Sequence, residues 1–204
     1  HQSEPWHTAK VRSLIDAGVD TFICLQEHAE LRRFTPYMDI AQRLHAEKAG
    51  WKAAEGPALE FFHCPTPDQH VTTEESVLRA VKTLASKLQE GRTVYVHCWG
   101  GHGRTGTLIC SFLTVCYGLT VAQAKDFYML GERCRPARSG YWPASQAQYD
   151  QVTAVASMAV QDILDQAPLL DPLVDWATPR ATPASDSGNA WCGCDSISRA
   201  SKRA

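Results

Sequence analysis

No stretch of this chain restricts its fold more than residues 92–117. A short β-type run, Arg92–His97 (RTVYVH), leads through a loop with glycines at 100, 101 and 103 into Arg104–Tyr117, a helical run apolar on nearly every side. A helix with no polar face has nothing to show to water, so it belongs at the centre of a fold, with the strand that feeds it buried alongside. The same alternation fills the chain around it. Residues 7–17 read as a helix stopped by Gly18, followed by the β-rich run Val19–Leu25; 36–49 read as a second helix and Ala58–His63 as a second strand. Pro65 and Pro67 then force a loop around Asp68. The clearest helix follows, with Thr72 and Glu75 as its capping box and Val77, Leu78, Val81, Leu84, Ala85 and Leu88 recurring at helical spacing until Gly91. Two more helices are expected, one capped by Thr120 and Gln123 and one starting near Ser145. Strands separated by helices predict an α/β fold with a mainly parallel central sheet flanked by helices.

The periodic pattern fades from Asp165 onward. Of the 40 residues 165–204, 21 are Ala, Ser, Pro or Asp, so little core can form there. One catalytic domain over 1–164 and a flexible, disordered tail over 165–204 are expected. Cys192 and Cys194 form a CxC pair in that tail, without the histidine or second cysteine pair that a zinc site needs. Twenty Lys and Arg against 22 Asp and Glu leave a net charge of -2, so there is no overall basic field for nucleic acid or a membrane surface, and any anion site must be local. The most apolar stretch, Thr107–Ala122, is shorter than the roughly 20 residues of a bilayer span and is interrupted by Ser111, Thr114, Gly118 and Thr120. Eight cysteines, four of them in apolar or strand-like runs, fit reduced thiols better than a disulfide scaffold. A cytoplasmic monomer that binds neither nucleic acid nor membrane is the expectation.

The loop His97-Cys98-Trp99-Gly100-Gly101-His102-Gly103-Arg104-Thr105-Gly106 suits a phosphate monoester. Its glycines allow a tight curl that turns successive N–H groups inward, and the following helix adds the positive end of its dipole. Arg104 closes the ring with a fork of donors able to hold two phosphate oxygens. Cys98 sits at the floor, where inward amides, helix end and guanidinium all favour the thiolate, the nucleophilic form of cysteine. Three other readings fail. Gly101-x-Gly103-x-x-Gly106 imitates a dinucleotide fingerprint, but Asp126, where the ribose-binding acid would belong, falls in the helical run Val121–Leu130 rather than on a second strand. A nucleotide P-loop needs a lysine where Thr107 stands. His97, Cys98 and His102 lack both a recognised metal spacing and a fourth ligand, so neither metal nor cofactor is expected.

HCWGGHGRTG matches the signature HCxxGxxR(S/T), and through it the chain resembles the cysteine-dependent protein tyrosine and dual-specificity phosphatases, above all small bacterial- or plant-like members with a CWGGxGRTG loop. The resemblance runs from LIDAGVDTFICLQEHAEL through PTPDQHV to PASQAQYDQV, about residues 8–155. It implies a protein tyrosine phosphatase-like fold of dual-specificity size, and roles for particular residues. Cys98 would be the nucleophile, and Trp99, Gly100, Gly101, His102, Gly103 and Arg104 the phosphate cradle. Asp68, 30 residues before Cys98, matches the general acid that the family carries on a mobile loop. Thr105 matches the hydroxyl that bonds the sulfur and helps it leave, and His97 the imidazole that organises the loop without transferring protons. Gln148 matches the glutamine that positions the hydrolytic water, although Ser145 and Gln148 also read as a capping box. Trp99 and His102 stand where members acting on phosphoinositides often carry lysines, which argues against a highly anionic lipid head group. Arg133, Arg135 and Arg138 form a local basic cluster that either borders the pocket or belongs to a solvated loop. Cys64, four residues before Asp68, either packs or closes a reversible disulfide with Cys98 under oxidation.

The implied activity is cofactor-free hydrolysis of phosphate monoesters through a phosphocysteine intermediate, on phosphotyrosine and also phosphoserine or phosphothreonine of a protein or peptide partner. Two alternatives stay open: a phosphatase of a small phosphorylated metabolite or inositol phosphate, and a non-catalytic phosphoprotein-binding module. The second would normally have lost the Cys or Arg of the signature.

Overall fold

The computed structural model describes residues 5–49, 58–133, 141–158 and 167–173. Its strands are β1 (Thr21–Cys24), β2 (Glu60–His63) and β3 (Val94–His97). Its helices are α1 (Trp6–Asp16), α2 (His28–Leu31), α3 (Met38–Ala49), α4 (Glu74–Gln89), α5 (Gly103–Tyr117), α6 (Val121–Arg133) and α7 (Gln146–Ser157). The strands make one sheet of order β2-β1-β3 in which both pairings are parallel, and Cys24 lies between His63 and His97. Parallel strands all end at the same edge. The turn into α2, the loop around Asp68 and the loop around Cys98 therefore leave the sheet side by side, at the edge where α/β folds place their ligands.

Every residue of β1 and β3 is buried, as a sheet covered on both faces requires. Alternation along the strands divides the core in two. Phe22, Phe61 and Tyr95 pack on Val11, Leu14, Ile15 and Leu44 of α1 and α3. Ile23, Phe62 and Val96 face the larger cluster built by α4 to α7, which includes Val81, Leu108 and Val155. Helix α5 touches α4, α6 and α7, the central placement its all-round apolarity demands.

Two details depart from expectation. Helix α4 is capped by Thr73, whose Oγ1 accepts the Ser76 N–H at 3.2 Å, rather than by Thr72. Thr73 is the extended residue immediately before the first turn, and the Thr72 carbonyl instead takes a hydrogen bond from Gln151. The reciprocal Thr120–Gln123 box ahead of α6 forms as expected. The second departure concerns the segment beyond residue 165. Within it, 167–173 pack against the domain, with Leu170 and Leu173 buried. Leu173 N–H donates to Phe61 O at 2.9 Å and His63 N–H to Asp171 O at 3.2 Å, so this segment covers the open edge of β2. Core contacts thus continue past the expected boundary, because two leucines and an unpaired strand edge outweigh a tail-like composition. The remainder of 165–204, with Cys192 and Cys194, lies outside the described residues. Among the described residues no helix is long and apolar enough to cross a membrane.

Candidate active site

The chain leaves β3 at His97 and curls around the Cys98 sulfur. Gly101 N–H donates to Sγ at 3.1 Å and Thr105 Oγ1 donates to it at 3.2 Å. Gly101 sits at φ +68, where a side chain would be strained, and this reversal turns its N–H back toward the sulfur. Helix α5 begins at Gly103, so the positive end of its dipole faces the same loop. Cys98, Arg104 and Thr105 are buried, whereas Trp99 is half-exposed with its ring 6.4 Å from that of Phe34. The other described buried thiols stand in different surroundings. Burial pushes Cys24 and Cys110 up to about 12 and Cys64 up to about 11, and Cys64 Sγ donates to Ser76 O at 3.7 Å.

Three aromatic residues brace the loop from behind. His97 Nε2 lies 2.7 Å from the Tyr37 hydroxyl and its Nδ1 3.4 Å from Cys98 O. Burial pushes the imidazole down to about 4, so it is neutral at pH 7. Tyr128 on α6 donates its hydroxyl to Gly101 O at 2.7 Å and to His102 O at 3.3 Å. Trp142 lies against Gly106 with its Nε1–H on Thr107 Oγ1 at 3.0 Å. A Cβ at Gly106 would stand 2.4 Å from that ring, and Trp142 is only 1% exposed, so the ring has nowhere to go. Gly106→Ala is expected to destabilise the fold by about 3 kcal/mol, read as a lowered melting temperature in calorimetry; an unchanged melting temperature would show that the loop and Trp142 separate freely.

Arg104 links all three segments that leave the sheet. Its Nη1 and Nη2 grip the two oxygens of Glu30 at 2.5 and 2.9 Å, a bidentate pair. Nη1 also donates to Thr66 O at 3.0 Å, and Nη2 stands 3.0 Å from Asp68 Oδ1. Burial pulls the Arg104 pKa down, but Glu30, the Cys98 sulfur and Asp68 outweigh it and hold the guanidinium charged, above its ordinary value. Burial likewise pushes the Glu30 carboxyl up, and the hydrogen bonds from Arg104 and from Glu27 N–H outweigh it, leaving the carboxyl below its ordinary value.

The expected residues Cys98, Arg104, Thr105, His97 and Asp68 meet in one place. Gln148 is fully buried, but its amide is committed to the protein: Oε1 accepts Ala144 N–H at 2.9 Å and Nε2 donates to His70 O at 3.3 Å. The capping box expected with Ser145 is absent, since the Gln148 side chain reaches one residue further back, to Ala144. It lies so close to Gly103 that a Cβ there would meet Nε2 at 2.8 Å. Of the basic cluster, Arg135 and Arg138 lie outside the described residues, and α6 ends at Arg133, whose side chain also lies outside them. Sequence reasoning missed Glu30, Tyr37, Tyr128 and Trp142. Glu30 had a signal in its place just past the end of β1, with Glu27 three residues before it to form a box; the aromatic residues had none beyond ordinary core character.

Parallel sheet, curled loop and buried arginine make up a fold of the dual-specificity and tyrosine-phosphatase type. The chain belongs to the PTP-SAK family, described as a Swiss Army Knife protein, DSP-PTPase phosphatase domain, whose model matches residues 1–147. Laforin of Mus musculus is 35% identical over 72 residues, which are 35% of this chain and 22% of laforin. Protein tyrosine phosphatase domain-containing protein 1 of Mus musculus is 29% identical over 120 residues, 57% of this chain and 15% of that protein. The matches thus span less than a quarter of either relative. Among solved structures, kinase associated phosphatase superposes with a TM-score of 0.56 at 16% identity, over 74% of this chain and 78% of that one.

Proposed function

We propose that this domain hydrolyses phosphate monoesters through a phosphocysteine intermediate, on phosphotyrosine and also phosphoserine or phosphothreonine in a protein or peptide. The observation that carries this reading is that Arg104 Nη2 stands 3.0 Å from the Asp68 carboxylate, at the mouth of the loop in which Gly101 and Thr105 donate to Cys98 Sγ. Nucleophile, anion holder and proton donor thereby share one small space. Cys98 Sγ attacks phosphorus while the bond to the leaving oxygen breaks, and Asp68 gives that oxygen its proton. Arg104 and the loop amides from Trp99 to Arg104 take the charge of the three phosphoryl oxygens. Water then surrenders a proton to Asp68 and attacks phosphorus. The S–P bond breaks, with the Thr105 hydroxyl bonded to the departing sulfur, and phosphate leaves. No step requires a metal.

Phe34 and half-exposed Trp99 give the opening an aromatic side, and no loop position carries a lysine. Both favour an aryl phosphate over an inositol phosphate. A panel of phosphopeptides, inositol phosphates and sugar phosphates in EDTA tests this; a far higher kcat/KM on a metabolite would overturn the protein-substrate reading. Asp68→Asn is expected to lower kcat about 10²- to 10³-fold on aryl phosphates with poor leaving groups and less than about tenfold on those with good ones. Equal losses on both would remove Asp68 from the role of acid.

A further inference from the structure

Little apolar packing holds the outer half of the Asp68 loop. Pro67, Asp68, Gln69 and His70 are exposed, and the inner side of the loop faces a small cavity lined by Thr66, His70, Thr72, Arg104, Thr107 and Gln151. Gln69 sits at φ +60, a left-handed conformation that strains a residue with a side chain. A strained turn over a cavity keeps its shape only if both ends are fixed. The leading end is tied to the sheet and the cradle: Thr66 N–H donates to Leu25 O at 3.1 Å, and Arg104 Nη1 donates to Thr66 O at 3.0 Å.

The trailing end is tied to α7. Gln148 and Gln151 stand three residues apart, on one face of that helix, and both are buried, at 0% and 5% exposure. Gln148 Nε2 donates to His70 O, and Gln151 Nε2 donates to Thr72 O. The tie continues inward, because the His70 ring Nδ1 lies 2.7 Å from Asp68 O and His70 N–H donates to Pro67 O at 3.1 Å. Two buried amides on one helix thus hold the carbonyls of His70 and Thr72, on either side of Val71, and His70 holds Asp68.

We propose that Gln148 and Gln151 form a clasp that keeps the Asp68 loop in its working position, so that the proton donor is presented by α7 rather than by closure of a free lid. This rests on the reading of Asp68 as general acid. Both glutamines are positioning residues: they act through the loop, and displacing a reacting group by about 1 Å can cost up to about 10²-fold in rate. Gln151 is the cleaner probe, since Gln148 also lies against Gly103 of the cradle.

The test compares Gln151→Met, which conserves volume and removes the donor, with Gln148→Met, each alone and combined with Asp68→Asn. Turnover of aryl phosphates with good and poor leaving groups is measured alongside hydrogen exchange of segment 65–73. The clasp predicts a roughly tenfold lower kcat on the poor leaving group, less than about twofold on the good one, and an unchanged KM. It predicts no further loss once Asp68 is Asn, and faster exchange across 65–73 alone. Equal loss on both substrates, loss that persists in the Asp68→Asn background, or unaltered exchange would each overturn it. Should the wild-type protein show no Cys98-dependent turnover, the functional reading fails by itself, and the exchange measurement still decides whether the clasp exists.

Discussion

Cys98→Ser is expected to abolish turnover, with kcat on an aryl phosphate falling more than about 10⁴-fold while the fold stays intact. The magnitude follows from what surrounds the side chain. A serine hydroxyl needs a base to become a nucleophile, as in Ser–His pairs. The neighbouring imidazole, His97, is not aimed at one: it pairs with Tyr37 through Nε2 and turns Nδ1 toward the Cys98 carbonyl. The groups that do meet the sulfur, Gly101 N–H and Thr105 Oγ1, are donors. They can stabilise charge on an atom already able to carry it, but they cannot remove a proton. Steady-state assays in EDTA, paired with phosphate- or vanadate-induced shifts in melting temperature, separate lost chemistry from lost binding. A serine variant within tenfold of wild type would reject the phosphocysteine route; one that is inactive yet still stabilised by vanadate would support it.

Arg104→Lys is expected to cost about 10²- to 10³-fold in kcat/KM, the size of losing an oriented donor at a developing negative charge. It should also lower stability. The planar fork meets two Glu30 oxygens, the Thr66 carbonyl and Asp68 at once, and an ammonium on a flexible stem cannot reproduce that set. Glu30, whose side chain is only 16% exposed, would keep its charge with a poorer partner. Removing that charge should therefore restore part of the stability: Arg104→Lys with Glu30→Gln is expected to melt above Arg104→Lys alone, although both remain poor catalysts. The acid side of the stability curve reports the same pair. Glu30 is held below its ordinary value of 4.5, so its contribution is complete above that pH and fades as pH falls below it. Glu30→Gln should flatten that limb. Additive melting temperatures in the double variant would show that the pair does not couple loop to sheet as its geometry indicates.

Legibility differed between neighbouring parts of the site for a physical reason. The Cys98–Gly106 loop was readable because its chemistry is local: the thiol, the turn-forming glycines and the guanidinium lie within one short segment, and a strand before and an apolar helix after it are dictated by periodicity. Glu30 was not, because one carboxylate in a four-residue helix carries no periodic signal; its role comes from β1 lying between β2 and β3. Tyr128 and Trp142 look like core residues in sequence and are core residues in the fold, yet each also spends its polar atom on the loop or on the helix that follows it. Gln148 could be located in the sequence, but whether its amide meets the protein or solvent depends on Ala144 and His70, one of them far away along the chain.

The tail shows the opposite failure. Composition from residue 165 onward predicts little core, and Leu170 and Leu173 are buried nonetheless, because the edge of β2 offers unpaired backbone groups that no count of residues records. By itself the sequence determined the α/β alternation, the central helix and the glycine-rich loop around Cys98, since each depends on residues close together in the chain. Only the tertiary structure decided which partners fix Arg104, how the Asp68 loop is tied down and that 167–173 pack along β2, since those depend on which segments a parallel sheet brings to its edges.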